Sequence, residues 1–232
     1  MLQDQHGNWI GDRDQLQALV RNFFFDIYTD DNPPCEPFLL PTNHYPSLSI
    51  AELDKLARGF MRCEIKKALF DMHPYKAPGP NGFQAFFYQK YWDLTGNKLT
   101  HVALEVLDGK PLPRDLNDTF LVLIPKIENL HFVSQLRPIG LCNVAYKVIT
   151  KAIVNRLKPI LNKVIAPTQT SFVPNRKITD NAVIVQEMLH SMRRKKGSKG
   201  TMAIKINLER AYDRLRWQFI RESLTDLGLL SN

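Results

Sequence analysis

The stretch Lys76-Ala77-Pro78-Gly79-Pro80-Asn81-Gly82 restricts this chain more than any other. Its two prolines remove backbone donors and fix φ, and its two glycines permit positive φ. The seven residues therefore form a rigid loop that interrupts any helix. The loop also separates unlike halves. Residues 1–75 hold 7 Lys/Arg against 11 Asp/Glu, whereas residues 76–232 hold 24 against 12. Between 137 and 199 the imbalance sharpens to 13 basic against 2 acidic residues. A basic excess this local points to a polyanionic partner, nucleic acid first, with a solvated basic surface as the plain alternative.

Other classes drop out on composition. No run approaches 18 uncharged apolar residues, so no membrane-spanning helix is expected. The opening Met1-Leu2-Gln3-Asp4-Gln5 lacks a basic and then apolar leader, so no secretory signal is expected. Cys35, Cys63 and Cys142 have neither zinc spacing nor a pairing pattern, and read as three thiols in a reducing compartment.

Periodicity places the elements. Leu16, Leu19, Val20, Phe23, Phe24 and Ile27 share one helix face, with Asp12 or Asp14 as N-cap. Five prolines between 33 and 46 read as a linker or extended arm. Ser49 and Glu52 make a capping box ahead of a helix carrying Leu53, Leu56 and Phe60, and Ile65, Leu69 and Met72 mark a second short helix. Helices are expected over 83–94, 99–107, 143–161, from a capping Asp180 through Met192, and over 214–227 with Gly228 closing the last. Thr119–Ile124, stopped by Pro125, reads as a strand, as does alternating Thr201–Leu208. Arg193 to Gly200 reads as a basic turn. The expected class is α+β, helix-rich, with a few strands far apart in sequence.

Several motifs then arrive in order: Lys76–Phe83; Leu123-Ile124-Pro125-Lys126; Leu136-Arg137-Pro138-Ile139-Gly140-Leu141-Cys142-Asn143; Gln169-Thr170-Ser171-Phe172-Val173-Pro174-Asn175-Arg176; Ile178-Thr179-Asp180-Asn181; and Ala211-Tyr212-Asp213-Arg214. Together they resemble the reverse transcriptases of plant LINE-type (non-LTR) retrotransposons, and Gly7-Asn8-Trp9-Ile10 with Phe23-Phe24 resembles the stretch leading into that domain. The resemblance implies the helix-rich fingers of a right-hand polymerase with an incomplete palm. It divides the chain into an acidic N-terminal extension (1–75), basic fingers (76–200), and the first strand and helix of a truncated palm (201–232). It implies an RNA template and a DNA primer as partners, Mg²⁺ as the family's cofactor, and an intracellular, nuclear residence without a membrane.

The resemblance also assigns side chains. Lys126 and Arg137 match positions that reach the incoming nucleotide's phosphates, work suited to a point-charge ammonium and a forked guanidinium. As bare residues they read as an exposed lysine after a strand and a loop anchor. Tyr212 matches the ring placed under the nucleotide sugar, though a lone tyrosine is more often core. Arg176 and the run Arg193, Arg194, Lys195, Lys196 suit nucleic-acid backbone phosphates. The Lys76–Gly82 loop is expected chiefly as a structural turn between two helices, with template positioning as the alternative. Asn81 stands where the family usually has aspartate.

One position departs decisively. The first palm motif reads Asn207-Leu208-Glu209-Arg210-Ala211-Tyr212-Asp213, so the metal-binding aspartate position holds Asn207. A unit charge about 4 Å from another is worth about 4 kcal/mol at an effective dielectric of about 20, which is roughly a thousandfold in rate. Glu209 and Asp213 are not obvious substitutes. Together with the missing later palm, this sets the expectation that the chain binds no metal and lacks polymerase activity by itself, leaving either a decayed enzyme fragment or a non-catalytic primer–template-binding module. Apolar Ile204, Ile206 and Leu208 would then be an exposed edge open to self-association.

Overall fold

The computed structural model describes residues 1–29, 46, 48–197, 200–206 and 215–229. Most of the expected proline-rich arm lies outside them, and so do Asn207, Glu209, Tyr212 and Asp213. In chain order the elements are β1 (Leu2–Gln3), β2 (Trp9–Ile10), α1 (Arg13–Tyr28), α2 (Ile50–Ala57), α3 (Arg62–Phe70), α4 (Ala85–Lys90), α5 (Trp92–Leu107), β3 (Thr119–Pro125), β4 (Leu136–Cys142), α6 (Val144–Val164), α7 (Ile178–Arg194) and α8 (Trp217–Asp226). The class is α+β and helix-rich, as expected. The described residues fall into two compact units, one drawn from Met1–Pro33 and Arg58–Asn155, the other from Pro34–Ala57 and Arg156–Asn232.

The first unit holds two hydrophobic clusters. In the larger, Ile65, Ala68 and Leu69 of α3 meet Ala85 of α4, Trp92, Leu99 and Ala103 of α5, and Val144, Val148, Ile149 and Ala152 of α6. These are the helix-periodic apolar positions, and Ile65, Ala68, Leu69, Ala103 and Val148 are wholly shielded from solvent. In the smaller, Phe24 of α1 packs with Val133 and Leu136, and Leu123 joins from β3. Asp12 caps α1, its carboxylate accepting from Asp14 N and Gln15 N, both at 3.1 Å.

β3 and β4 form an antiparallel pair with Thr119 opposite Cys142 and Ile124 opposite Arg137. β3 was legible in the sequence; β4 was not. Pro138 and Gly140 interrupt its β-rich character, yet a two-stranded ribbon leaves each strand one free edge, so a proline costs no ladder bond there.

The second unit contains α2, whose capping box forms as expected: Ser49 N donates to Glu52 Oε2 at 2.7 Å, and Glu52 N to Ser49 Oγ at 3.3 Å. Gly228, at φ +73°, follows α8 and closes it.

Four expectations are corrected. The stretch expected as one helix over 83–94 divides: Tyr91 leaves the helical region at φ −105°, ψ 35°, ending α4 and starting α5. That bend turns Trp92 into the core while Tyr91 stays outside, and it moves the start of the next helix from 99 to 92. Helix α7 begins after Lys177, so Asp180 lies in its first turn rather than at its cap, where its charge suits the helix dipole. Arg193 and Arg194 occupy the last turn of α7 and not a free turn. Residues 200–206 form no strand. An alternating pattern becomes a strand only against a neighbour that satisfies its backbone, and neither described sheet pairs with it; Met202, Ile204 and Ile206 are all exposed.

Candidate functional site

The β3–β4 ribbon has two unlike faces. Residues directly opposite one another share a face and alternate along each strand. Leu123, Pro138 and Leu136 therefore lie on the face that meets α1's Phe24. Phe120, Val122, Ile124 and Ile139 lie on the other and are exposed. Arg137 shares that open face through its pairing with Ile124. Lys126, one residue past β3, continues the ladder by donating its backbone N–H to Gln135 O at 2.9 Å. Two residues on from Ile124, it falls on the same face as Arg137 and diagonal to it, a separation of roughly 7–8 Å between backbones. The structure thus brings together the two cations that the resemblance assigns to phosphates, although 10 residues separate them along the chain. Lys126 Nζ donates to Ser134 O at 3.0 Å, which holds the ammonium over the connecting turn. One exposed ammonium and one exposed guanidinium beside an apolar sheet face can hold a polyanionic head and an apolar or aromatic body.

At the other end of the ribbon, roughly 20 Å away by strand rise, the rigid loop docks on the start of α6. Asn143 is the hub and is 5% exposed. Its Oδ1 accepts from Asn81 N at 3.1 Å, and its Nδ2 donates to Asp115 O at 3.0 Å and to Leu116 O at 3.4 Å. Lys147 Nζ donates to Ala77 O at 3.0 Å. Gly79 is required by proximity, since a Cβ there would stand 2.4 Å from Asn143 N; Gly82 is required by φ, at +75°. The first and third motifs read from the sequence are therefore one structural joint, and Asn143, whose role the sequence did not reveal, is its pin.

The remaining cations belong to the second unit. Arg176 Nη1 donates to Ala166 O at 2.5 Å and Gln169 O at 2.7 Å, and Nη2 to Ile165 O at 3.0 Å and Asn162 O at 3.3 Å. Its guanidinium thus ties off the carbonyls at the end of α6 and in the turn that follows it. Asn181 fastens the same loop, donating to Thr168 O at 2.8 Å. Between these anchors Phe172 is held at φ +64° and is 84% exposed, an uncommon backbone for a bulky residue. Arg193, Arg194, Lys195 and Lys196 are all exposed.

Asn207 and Tyr212 fall outside the described residues, so no geometry attaches to them. Among the described residues no three His, Cys, Asp or Glu side chains converge to hold a metal ion, and no helix is long and apolar enough to cross a membrane.

Residues 124–232, which include Lys126 and Arg137, match the family described as Reverse transcriptase (RNA-dependent DNA polymerase). The chain is also similar to the uncharacterized 149 kDa protein of transposon TX1 from Xenopus laevis. The two are 29% identical over 218 residues, which is 93% of this chain but 16% of that protein. The chain thus spans about a sixth of this relative's length, and over 124–232 its sequence is similar to that of reverse transcriptases.

Proposed function

We propose that these residues are the fingers and the start of the palm of a retrotransposon's RNA-directed DNA polymerase. Residues 1–75 would be an N-terminal extension, 76–200 the fingers and 201–232 the beginning of the palm. One observation carries the reading: Lys126 and Arg137 stand on one face of the β3–β4 ribbon, inside the stretch similar to reverse transcriptases. There the Lys126 ammonium neutralises one phosphate of an incoming deoxynucleoside triphosphate, and the Arg137 fork donates to two oxygens of another. By its match to the family's motif, Tyr212 is assigned the ring that excludes a 2′-hydroxyl. The joint at Asn143 holds the base of the ribbon, so that its cationic end keeps its place.

In reverse transcriptases divalent cations supply the activation of the primer hydroxyl and the neutralisation of the departing pyrophosphate. The donor set of this chain does not fit that task. Asn207 offers a neutral carbonyl where the family has a carboxylate, and Mg²⁺ is held through few carboxylates. We therefore propose that these 232 residues by themselves bind primer–template and nucleotide without extending the primer.

Photo-crosslinking of a deoxynucleoside triphosphate to the full chain on an RNA–DNA primer–template tests the site. Lys126→Ala and Arg137→Ala should each weaken crosslinking about tenfold or more; unchanged crosslinking in both would overturn it. Primer extension with Mg²⁺ or Mn²⁺ that Asp213→Ala abolishes would overturn the inactivity.

A non-catalytic binding module is the second reading, favoured by the exposed run from Arg193 to Lys196. Neutralising that run should flatten the salt dependence of primer–template binding by roughly 0.9 log units for each phosphate that the run neutralises in the wild type.

A further inference from the structure

The densest aromatic chemistry in the first unit lies outside the β3–β4 ribbon. Residues 70–92 contain eight Phe, Tyr or Trp, in a chain that is 10% aromatic overall. Trp92 turns into the core, but Tyr75, Phe83, Phe86 and Tyr91 are exposed, Tyr75 by 64%. They are ordered against one another. Tyr75 stacks on Phe86 with centroids 5.3 Å apart and planes inclined by 26°. Phe83 lies 4.6 Å from Phe87, which lies 5.4 Å from Tyr91. Lys90 joins the two groups, its Nζ standing 5.6 Å from the ring centroids of both Phe86 and Tyr91.

The charge around these rings is one-sided. Residues 58–98 hold seven Lys/Arg against three Asp/Glu. Two of the three carboxylates are engaged locally: Glu64 accepts from Met61 N at 2.9 Å, and Asp71 accepts from Lys67 Nζ and Asn155 Nδ2, both at 3.2 Å. A protein partner would be expected to cover an aromatic patch whose centre lacks lysine, whereas here an ammonium sits between the rings. A duplex keeps its base faces stacked inside and offers nothing for exposed rings to cover. An unpaired strand offers both missing halves, free base faces for the rings and phosphates for Lys90.

We propose that Tyr75, Phe86, Lys90 and Tyr91 form a stacking platform for single-stranded nucleic acid. The inference deepens the reverse transcriptase reading and rests on it only for the source of the strand, the unpaired part of the template. The platform reads base faces and phosphates, so it accepts RNA and DNA strands alike.

The test measures binding of the full chain to a fluorescent oligouridylate of about 12 nucleotides, a length within single-strand site sizes, with an oligothymidylate and an abasic strand of equal length in parallel. Wild type should bind the two base-bearing strands, and the abasic strand about tenfold more weakly. Tyr75→Ala and Phe86→Ala should each lower affinity for the base-bearing strands roughly tenfold and leave the abasic strand unaffected, while Tyr75→Phe retains binding. Circular dichroism identical to wild type excludes unfolding as the cause. Wild-type affinity in both alanine variants overturns the platform. So does self-association that Tyr75→Ala abolishes without any strand binding, which would give the surface to a second copy. Hybrid-duplex binding and nucleotide crosslinking without single-strand binding would sink the platform and leave the polymerase reading standing. Ring-dependent strand binding without crosslinking would do the reverse.

Discussion

Helices α3 and α7 are both amphipathic, and they end differently. Helix α3 buries Ile65, Ala68 and Leu69 completely, whereas α7 has no buried residue and exposes Val183, Ile184, Val185 and Met188 by half or more. Apolar spacing tells a helix which face to turn inward; it does not supply the surface that receives it. For α3 the receiving surface is α4, α5 and the first half of α6, residues that belong to the same unit. Most of the stabilisation of an ordinary helix comes from such packing, so the two regions should respond very differently to the same damage.

The largest expected effect breaks or sustains that contrast. Leu69→Ala should destabilise the first unit by about 2–5 kcal/mol in urea unfolding, because transfer and cavity costs add at a fully buried site. Val185→Ala in α7 should change stability by no more than about 0.5 kcal/mol. If Val185→Ala costs as much as Leu69→Ala, α7 is covered in solution and the contrast fails.

Next comes the joint at Asn143. Asn143→Ala strands Asn81 N–H and the Asp115 carbonyl in a half-buried setting, at a cost of about 2–3 kcal/mol. Gly79→Ala should cost about 1–3 kcal/mol by steric overlap with Asn143. If the loop only positions nucleic acid, both variants will keep wild-type stability and lose affinity instead.

What the sequence disclosed follows from the range of each interaction. The cap of α1 at Asp12 and the Ser49–Glu52 box are settled within four residues, and both were legible; Pro125, expected to stop β3, is instead its last paired residue, and Lys126 carries the ladder one residue further. The pairing of β3 with β4 is not local. Its register alone puts Arg137 opposite Ile124 and beside Lys126, and a strand holding Pro138 and Gly140 carries little β signal. Asn143 was hidden for the same reason, since its partner Asn81 lies 62 residues away. The strand expected at 201–208 failed in the opposite direction: its local alternation is clear, and the described residues provide no neighbour. Arg176 shows the limit of charge alone, for a guanidinium in a basic stretch proved to be bonded to four backbone carbonyls. Removing it sharpens that point. Arg176→Ala should destabilise the second unit by about 1–3 kcal/mol and leave the salt slope of primer–template binding unchanged.

The smallest effect lies at Glu52 in the second unit. Its carboxylate accepts from Lys163 Nζ at 2.7 Å, and from Ser49 N and Oγ. Chiefly through the Lys163 bond, and then through Ser49, its pKa is lowered from 4.5 to about 2. A carboxylate with a depressed folded pKa contributes stability that is fully present above the unfolded value and is lost as pH falls through the folded one. The contribution should therefore hold above about pH 4.5, decline below it, and be gone beneath about pH 2. Carbon-detected NMR of Glu52 should show a midpoint near 2 in the wild type, moving towards 4.5 in Lys163→Ala. The Ser49 bonds keep it from returning fully. A wild-type midpoint at 4.5 would mean that the Lys163 bridge, exposed as it is, does not hold α2 in place. The first turn of α2 would then rest on its capping box alone.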